Sequence, residues 1–313
     1  MAKKYRHLIK HLTVCSGPEG VYDEPRFWLD SKDSEGLNAH FSYGFLNTIG
    51  TICHPTRNGE ALIHPYDEVL VFAPCDASGD ILDLGAEISI EIGEEGEEQV
   101  FYEPSVVVIP KGTPHGPITV KRLDKPIAHY LVGLNPDYKA EHIPRKTKTT
   151  GLKYAHLIKK FRGAWLLLSK RLAQPLKPDM ARLKVMSPGN ADQIAWFYGK
   201  DLEGLELNIS WGFYCNPGIW HSAGRGGAHV HPVDEALFFL GLDPQNINYL
   251  GAELEIGLGE EERHVINRPT AVIVPKNVVH CPIITRWVDK PYAHFHLYLG
   301  VRYETRWLIE ENP

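Results

Sequence analysis

The chain is one block of sequence written twice, so it must fold as a pair of similar domains. Lys4-Tyr5-Arg6-His7-Leu8-Ile9-Lys10 returns as Lys153-Tyr154-Ala155-His156-Leu157-Ile158-Lys159. The eighteen residues from Trp28 to Phe45 match Trp196 to Phe213 at nine positions, where chance would give about one. The match runs on through HPYDE (His64 to Glu68) and HPVDE (His231 to Glu235), then through VVVIPKGTPHGPI and AVIVPKNVVHCPI. It ends with Asp124-Lys125-Pro126 against Asp289-Lys290-Pro291. In 313 residues this predicts two domains, 1–150 and 151–313. The segments Lys4 to Lys10 and Lys153 to Lys159 are then equivalent entry segments, each expected to pack on the other half's domain.

Each half reads as β structure. Ala86, Ile88, Ile90 and Ile92 alternate with Glu87, Ser89 and Glu91, and Ala252, Leu254, Ile256 and Leu258 alternate with Glu253, Glu255 and Gly257. A period of two marks strands with one buried face. The runs Val106 to Ile109 and Ala271 to Val274 stop at prolines, turn signals recur at short intervals, and long amphipathic helices are missing. An all-β sandwich or barrel in each half is expected.

Composition removes several classes of function. The 33 Lys and Arg against 39 Asp and Glu leave a net charge of -6, which disfavours nucleic acid as the partner. No apolar run is long enough to span a membrane and the first residues lack a signal core, so no membrane association and a cytoplasmic location are expected. Five scattered cysteines without CxxC spacing give neither a disulfide framework nor a thiolate zinc site. Basic residues between 137 and 178 read as a solvated connector, and Ala164 to Leu172 fits a short helix or a strand.

The 16 histidines carry the chemistry. His229 and His231 stand at i and i+2, which on a strand puts them on one face, and Glu235 returns to that face at i+6. His280 follows the strand stop at Pro275, where a neighbouring strand can bring it opposite. Three imidazoles and a carboxylate suit Fe, Mn, Ni, Co, Cu or Zn and suit calcium or magnesium poorly. In the first half His64, Glu68 and His115 keep three of these places, and Leu62 stands where the first histidine would be. Two histidines and one carboxylate still suffice for a facial triad, so this is a candidate second site. His54 and His221, and likewise His129 and His294, are equivalent pairs and read as structural. Cys281, next to His280, should point away from the ligand face and behave as a small buried hydrophobe.

These motifs resemble those of cupin domains, and the whole chain resembles a bicupin. The first cupin motif, a glycine, five residues, HxH, three or four residues and Glu, matches at His229, His231 and Glu235; the second matches at Pro275 to His280. Pro269 and Asn277 depart from the family's glycines, although Asn tolerates a left-handed turn. The resemblance implies two tandem cupin barrels, of the double-stranded β-helix or jelly-roll type, with His229, His231, Glu235 and His280 as metal ligands. It also implies a metal-dependent enzyme acting on a small, oxygen-chelating molecule. With iron, slightly preferred, the chemistry would be dioxygenase-type cleavage of a carbon-carbon bond; with another divalent metal it would be that of a decarboxylase, lyase or isomerase. The alternative is a bicupin that binds or senses a sugar or organic acid without turnover. A homo-oligomer is compatible with either. His296, Arg225 and Tyr298 replace Leu131, Asn58 and Gly133 of the first half, and these polar groups are the candidates for acid, base or anion-holding roles. Turnover is therefore expected in the second half.

Overall fold

The computed structural model describes residues 3–15, 17–18, 22, 25–52, 60–144, 148–162, 190–220 and 227–308. The chain divides into two compact units. One holds Leu12–Phe161 with Asp201–Leu205; the other holds Met1–His11, Arg162–Lys200 and Glu206–Pro313. The segment Ala164 to Leu172, His54, His221 and Arg225 lie outside the described residues. Among the described residues no helix is long and apolar enough to cross a membrane.

Each unit is a barrel of two sheets, antiparallel apart from the pairing of Thr149–Thr150 with Glu97–Phe101, and the central strands follow the same order in both. In the N-terminal barrel one sheet runs Ile158–Lys160, Ser105–Ile109, Glu68–Pro74, Ile127–Gly133, His40–Leu46, Arg26–Leu29, Val14–Cys15. The C-terminal barrel repeats it as Ile9–His11, Thr270–Val274, Glu235–Gly241, Tyr292–Tyr298, Asn208–Tyr214, Gln193–Phe197. The opposite sheets centre on His115–Leu123 and His280–Val288, paired with Ala86–Ile92 and Ala252–Leu258. The duplication is thus reproduced in the central strands of both sheets, with Val14–Cys15 and Thr149–Thr150 added in the N-terminal barrel among the described residues.

The entry segments are exchanged. Ile9 pairs with Val272 of the C-terminal barrel, and Ile158 pairs with Val107 of the N-terminal one. Leu8 and Leu157, equivalent in the repeat, are buried there, each worth about 1.5–3 kcal/mol of apolar transfer.

The alternation seen in the sequence marks the inner faces. Ala86, Ile88, Ile90 and Ile92 are wholly buried, as are Leu254, Ile256 and Leu258. Ser89 and Glu91, expected outward, are buried as well, because polar contacts close that side: Glu98, paired with Glu91 on the neighbouring strand, is reached by both Lys121 and Lys148 at 2.7 Å. Cys281 sits at 5% exposure in the C-terminal core, where burial pushes its thiol well above the usual range.

Candidate metal centres

Two turns bring the donors together. After Pro275 the chain bends through Asn277 at φ +62°, and after Pro110 through Gly112 at φ +75°, the left-handed region that Gly and Asn reach at least cost. The amide of Asn277 donates to His231 O at 2.8 Å, and that of Gly112 donates to His64 O at 2.9 Å. Asp234 and Asp67, which precede the glutamates, accept from Lys276 N at 2.8 Å and Lys111 N at 2.7 Å. The two motifs are therefore stapled to each other by backbone amides, and the aspartate of the HPxDE run is a positioning residue that the sequence pattern does not reveal.

In the C-terminal barrel His229 faces His280 across paired strands. Each of these candidate histidines has Nδ1 against a carbonyl: His229 on Gly227 O at 2.9 Å, His231 on Glu304 O at 2.6 Å and His280 on Val278 O at 3.1 Å. A carbonyl can only accept, so Nδ1 carries the proton and Nε2 is left with its lone pair. The donor atoms of these three histidines lie within 4.8 Å of one another. Glu235 Oε2 stands 3.3 Å from His231 Nε2 and 2.9 Å from His280 Nε2. Burial alone would raise the Glu235 carboxyl, but His280, His231 and His296 around it hold it well below the usual carboxylate range. Burial lowers His231, keeping it neutral. Buried lone pairs facing an ionised carboxylate, with no hydrogen bond made by His231 Nε2, His280 Nε2 or Glu235 Oε2, would be costly in an apolar barrel. Nitrogen and oxygen donors so arranged fit a divalent transition metal.

The terminal strand turns its polar face inward. His296 Nε2 is 2.6 Å from Glu235 Oε1, and Tyr298 stands edge-on to His231 at 5.2 Å between ring centroids. The Tyr298 hydroxyl accepts from Glu304 N at 3.0 Å, which steadies the carbonyl that His231 holds. Sequence reasoning missed Trp196 and Tyr303, whose rings lie 4.9 and 5.6 Å from that of His296. Trp196 Nε1 is buried without a hydrogen-bond partner. The conserved spacing of Trp28 and Trp196 in the repeat was a signal for the first; nothing pointed to Tyr303. His294 and its equivalent His129 are structural: each gives Nδ1 to a neighbouring strand, on Phe238 O at 3.0 Å and Val71 O at 2.9 Å.

The N-terminal barrel gathers His64, Glu68 and His115, whose donor atoms also lie within 4.8 Å of one another. Their Nδ1 atoms bond Lys139 O at 2.7 Å and Thr113 O at 3.1 Å, and Glu68 approaches His64 Nε2 at 3.5 Å and His115 Nε2 at 3.3 Å. Leu62 faces His115 as His229 faces His280, so a buried leucine stands at the position that His229 takes in the other barrel. Sequence reasoning also missed Arg26, buried in this barrel where the repeat has Ile194. Its guanidinium lies 3.5 Å from the Tyr22 ring and donates to His129 O at 2.9 Å.

Barrels of this strand order, each with histidines and a glutamate gathered at one end, define the cupin fold, and the chain as a whole is a bicupin in architecture. Solved structures similar to it include oxalate decarboxylase in a study of its substrate binding and reaction-specificity switch, at 10% identity and a TM-score of 0.55, covering 96% of this chain and 77% of that one. The Bacillus subtilis oxalate decarboxylase at pH 4.6 matches at 11% identity and a TM-score of 0.54, over 96% of this chain and 76% of that one. A structure of the same Bacillus enzyme, from work on its Mn(II) centres, matches at 11% and 0.54 over 95% and 77%. No protein-family model matches the sequence, and no curated protein matches it.

Proposed function

We propose that the chain is a metal-dependent bicupin enzyme that cleaves a carbon-carbon bond of a small oxygen-chelating acid, by decarboxylation, in its C-terminal barrel. His229, His231, Glu235 and His280 would hold the metal. The observation that carries this reading is the buried His296, 2.6 Å from Glu235: a proton-handling group beside the donor set, which decarboxylation needs. The likeness to oxalate decarboxylases supports the same class of reaction without naming the substrate.

When bound, a divalent metal supplies a Lewis acid that holds substrate oxygens and spreads the charge left as carbon dioxide departs. As an imidazolium with Nε2 on Glu235, His296 would give the proton of its other ring nitrogen, Nδ1, to the carbon that loses the carboxylate, so that R–CO2⁻ and H⁺ become R–H and CO2. Glu235 Oε1 orients that imidazole through the 2.6 Å contact. Trp196 and Tyr303 wall the space around His296 and keep water from it, and Trp196 Nε1 offers a hydrogen bond to a substrate oxygen. Tyr298 acts through Glu304 on His231 and is a positioning residue. Arg225, if it reaches this space, would hold a carboxylate; its part is a proposal from sequence alone.

The test is parallel measurement of metal content, CO2 release and O2 uptake against small 2-oxo, hydroxy and dicarboxylic acids. CO2 release without stoichiometric O2 uptake supports the reading. Stoichiometric O2 uptake would replace it with a dioxygenase, and metal binding without turnover on any of them with a binding or sensing bicupin.

A further inference from the structure

The N-terminal barrel differs from its twin by more than the lost ligand at Leu62. It has a buried histidine, His40, where the C-terminal barrel has Asn208. His40 faces Gly133, and Gly133 faces Glu68 on the next strand, so the three lie in one row across the sheet. Adjacent strands are about 4.8 Å apart, so the middle of the row is open ground unless a side chain fills it. The imidazole of His40 fills it: a Cβ added at Gly133 would overlap its Cε1 and Nε2.

In the C-terminal barrel the same row is Asn208, Tyr298, Glu235, with the tyrosine in the middle. That tyrosine accepts from Glu304 N, whose carbonyl takes His231. The N-terminal barrel performs the same service from elsewhere. Tyr66, in the turn between His64 and Glu68, accepts from Lys139 N at 3.0 Å, and Lys139 O takes His64. Moving the tyrosine leaves position 133 free to be glycine and admits His40. The exchange replaces a buried amide, Asn208, by a buried imidazole whose Nε2 lies over position 133, beside the strand that carries Glu68.

His40 Nδ1 donates to Asn135 O at 2.7 Å, so Nε2 is an acceptor, and this buried atom makes no hydrogen bond. Tyr66 and Tyr138 both contact His40, at 5.3 and 5.9 Å between centroids, and both contact His64, at 5.1 and 5.2 Å. The two imidazoles therefore pack against the same two tyrosines. His40 is not among the three residues whose donor atoms lie within 4.8 Å of one another; it faces that group without joining it.

We propose that the N-terminal barrel is a second ligand site, where His64, Glu68 and His115 hold a divalent metal and His40 Nε2 accepts a hydrogen bond from a hydroxyl-bearing oxygen donor, such as a phenol or enol, bound there. A neutral imidazole in this tautomer can only accept, so it favours a ligand with a proton to share over a bare anion. The site is independent of the C-terminal reaction.

The test removes the other site. A chain carrying Glu235→Gln and His280→Ala is loaded with cobalt(II) and titrated, by visible absorption, with 4-nitrocatechol and separately with azide. It should bind about one cobalt, and nitrocatechol should perturb the cobalt bands. Adding His40→Leu should keep the cobalt, weaken nitrocatechol about tenfold and leave azide unchanged, because only the catechol has a hydroxyl to lose a partner. His40→Phe, which keeps a ring but has no acceptor, should do the same and covers a leucine variant that fails to fold. Absence of cobalt from the parent, nitrocatechol binding unaffected in both variants, or equal weakening of nitrocatechol and azide would overturn the proposal.

Discussion

Replacing His231 by alanine isolates one donor of the C-terminal set. His231 contributes Nε2 to the cluster while Nδ1 is fixed on Glu304 O at 2.6 Å, so the imidazole is preorganised and its loss removes one full metal bond. Four-donor protein sites bind zinc with about 10–16 kcal/mol, or roughly 3 kcal/mol for each of four donors. His231→Ala should therefore weaken the C-terminal metal more than about 100-fold. Folding of the metal-free chain should suffer less, about 1 kcal/mol, because the mutation strands one carbonyl and removes one ring. Competition against a chromogenic chelator, with metal content checked by elemental analysis, separates the two effects. His64→Ala is the control and should leave the C-terminal affinity within about threefold. If His231→Ala also stays within threefold, the four residues do not act as one donor set and the assignment fails.

The other predictions follow the same geometry. His296→Gln should lower turnover by about 10²–10⁴-fold while the metal content stays constant; loss of the metal along with activity would make His296 a ligand, contrary to the proposal. Tyr298→Phe deletes the acceptor of the Glu304 amide and should cost about tenfold in C-terminal metal affinity in the same chelator competition. Asn277 stands at φ +62°, so Asn277→Gly should leave thermal stability nearly unchanged, whereas Asn277→Val should cost about 1–2 kcal/mol, read from unfolding midpoints. Adding metal at a hundredfold excess over its Kd should raise the stability of the metal-free chain by about 2.7 kcal/mol, and a chelator should reverse it; a melting curve indifferent to metal would contradict a resident ion.

Period and repetition carry across a chain without any knowledge of its neighbours, and this is why the sequence alone determined so much. A strand turns successive side chains to opposite faces, which was enough to put His229 and His231 side by side, and the duplication required Leu62 to mark the matching gap in the first half. The left-handed turn at Asn277 was legible for the same local reason. What lies opposite on the next strand is not local. Glu235 was expected on the same strand face as His229 and His231, but it opens a separate strand in the opposite sheet and meets the histidines only through the turn between them. His296 and Tyr298 stood out only as polar replacements of Leu131 and Gly133; pairing of their strand with Glu235–Gly241 is what brought His296 to Glu235. Tyr303 enters the C-terminal site and Arg26 the N-terminal interior through folding of segments with no motif. The row of His40, Gly133 and Glu68 joins residues far apart in sequence, and a glycine matters there only because a neighbouring strand sends an imidazole across it. Register between strands is set by the packing of the whole barrel, so these encounters exist only once the barrel has closed.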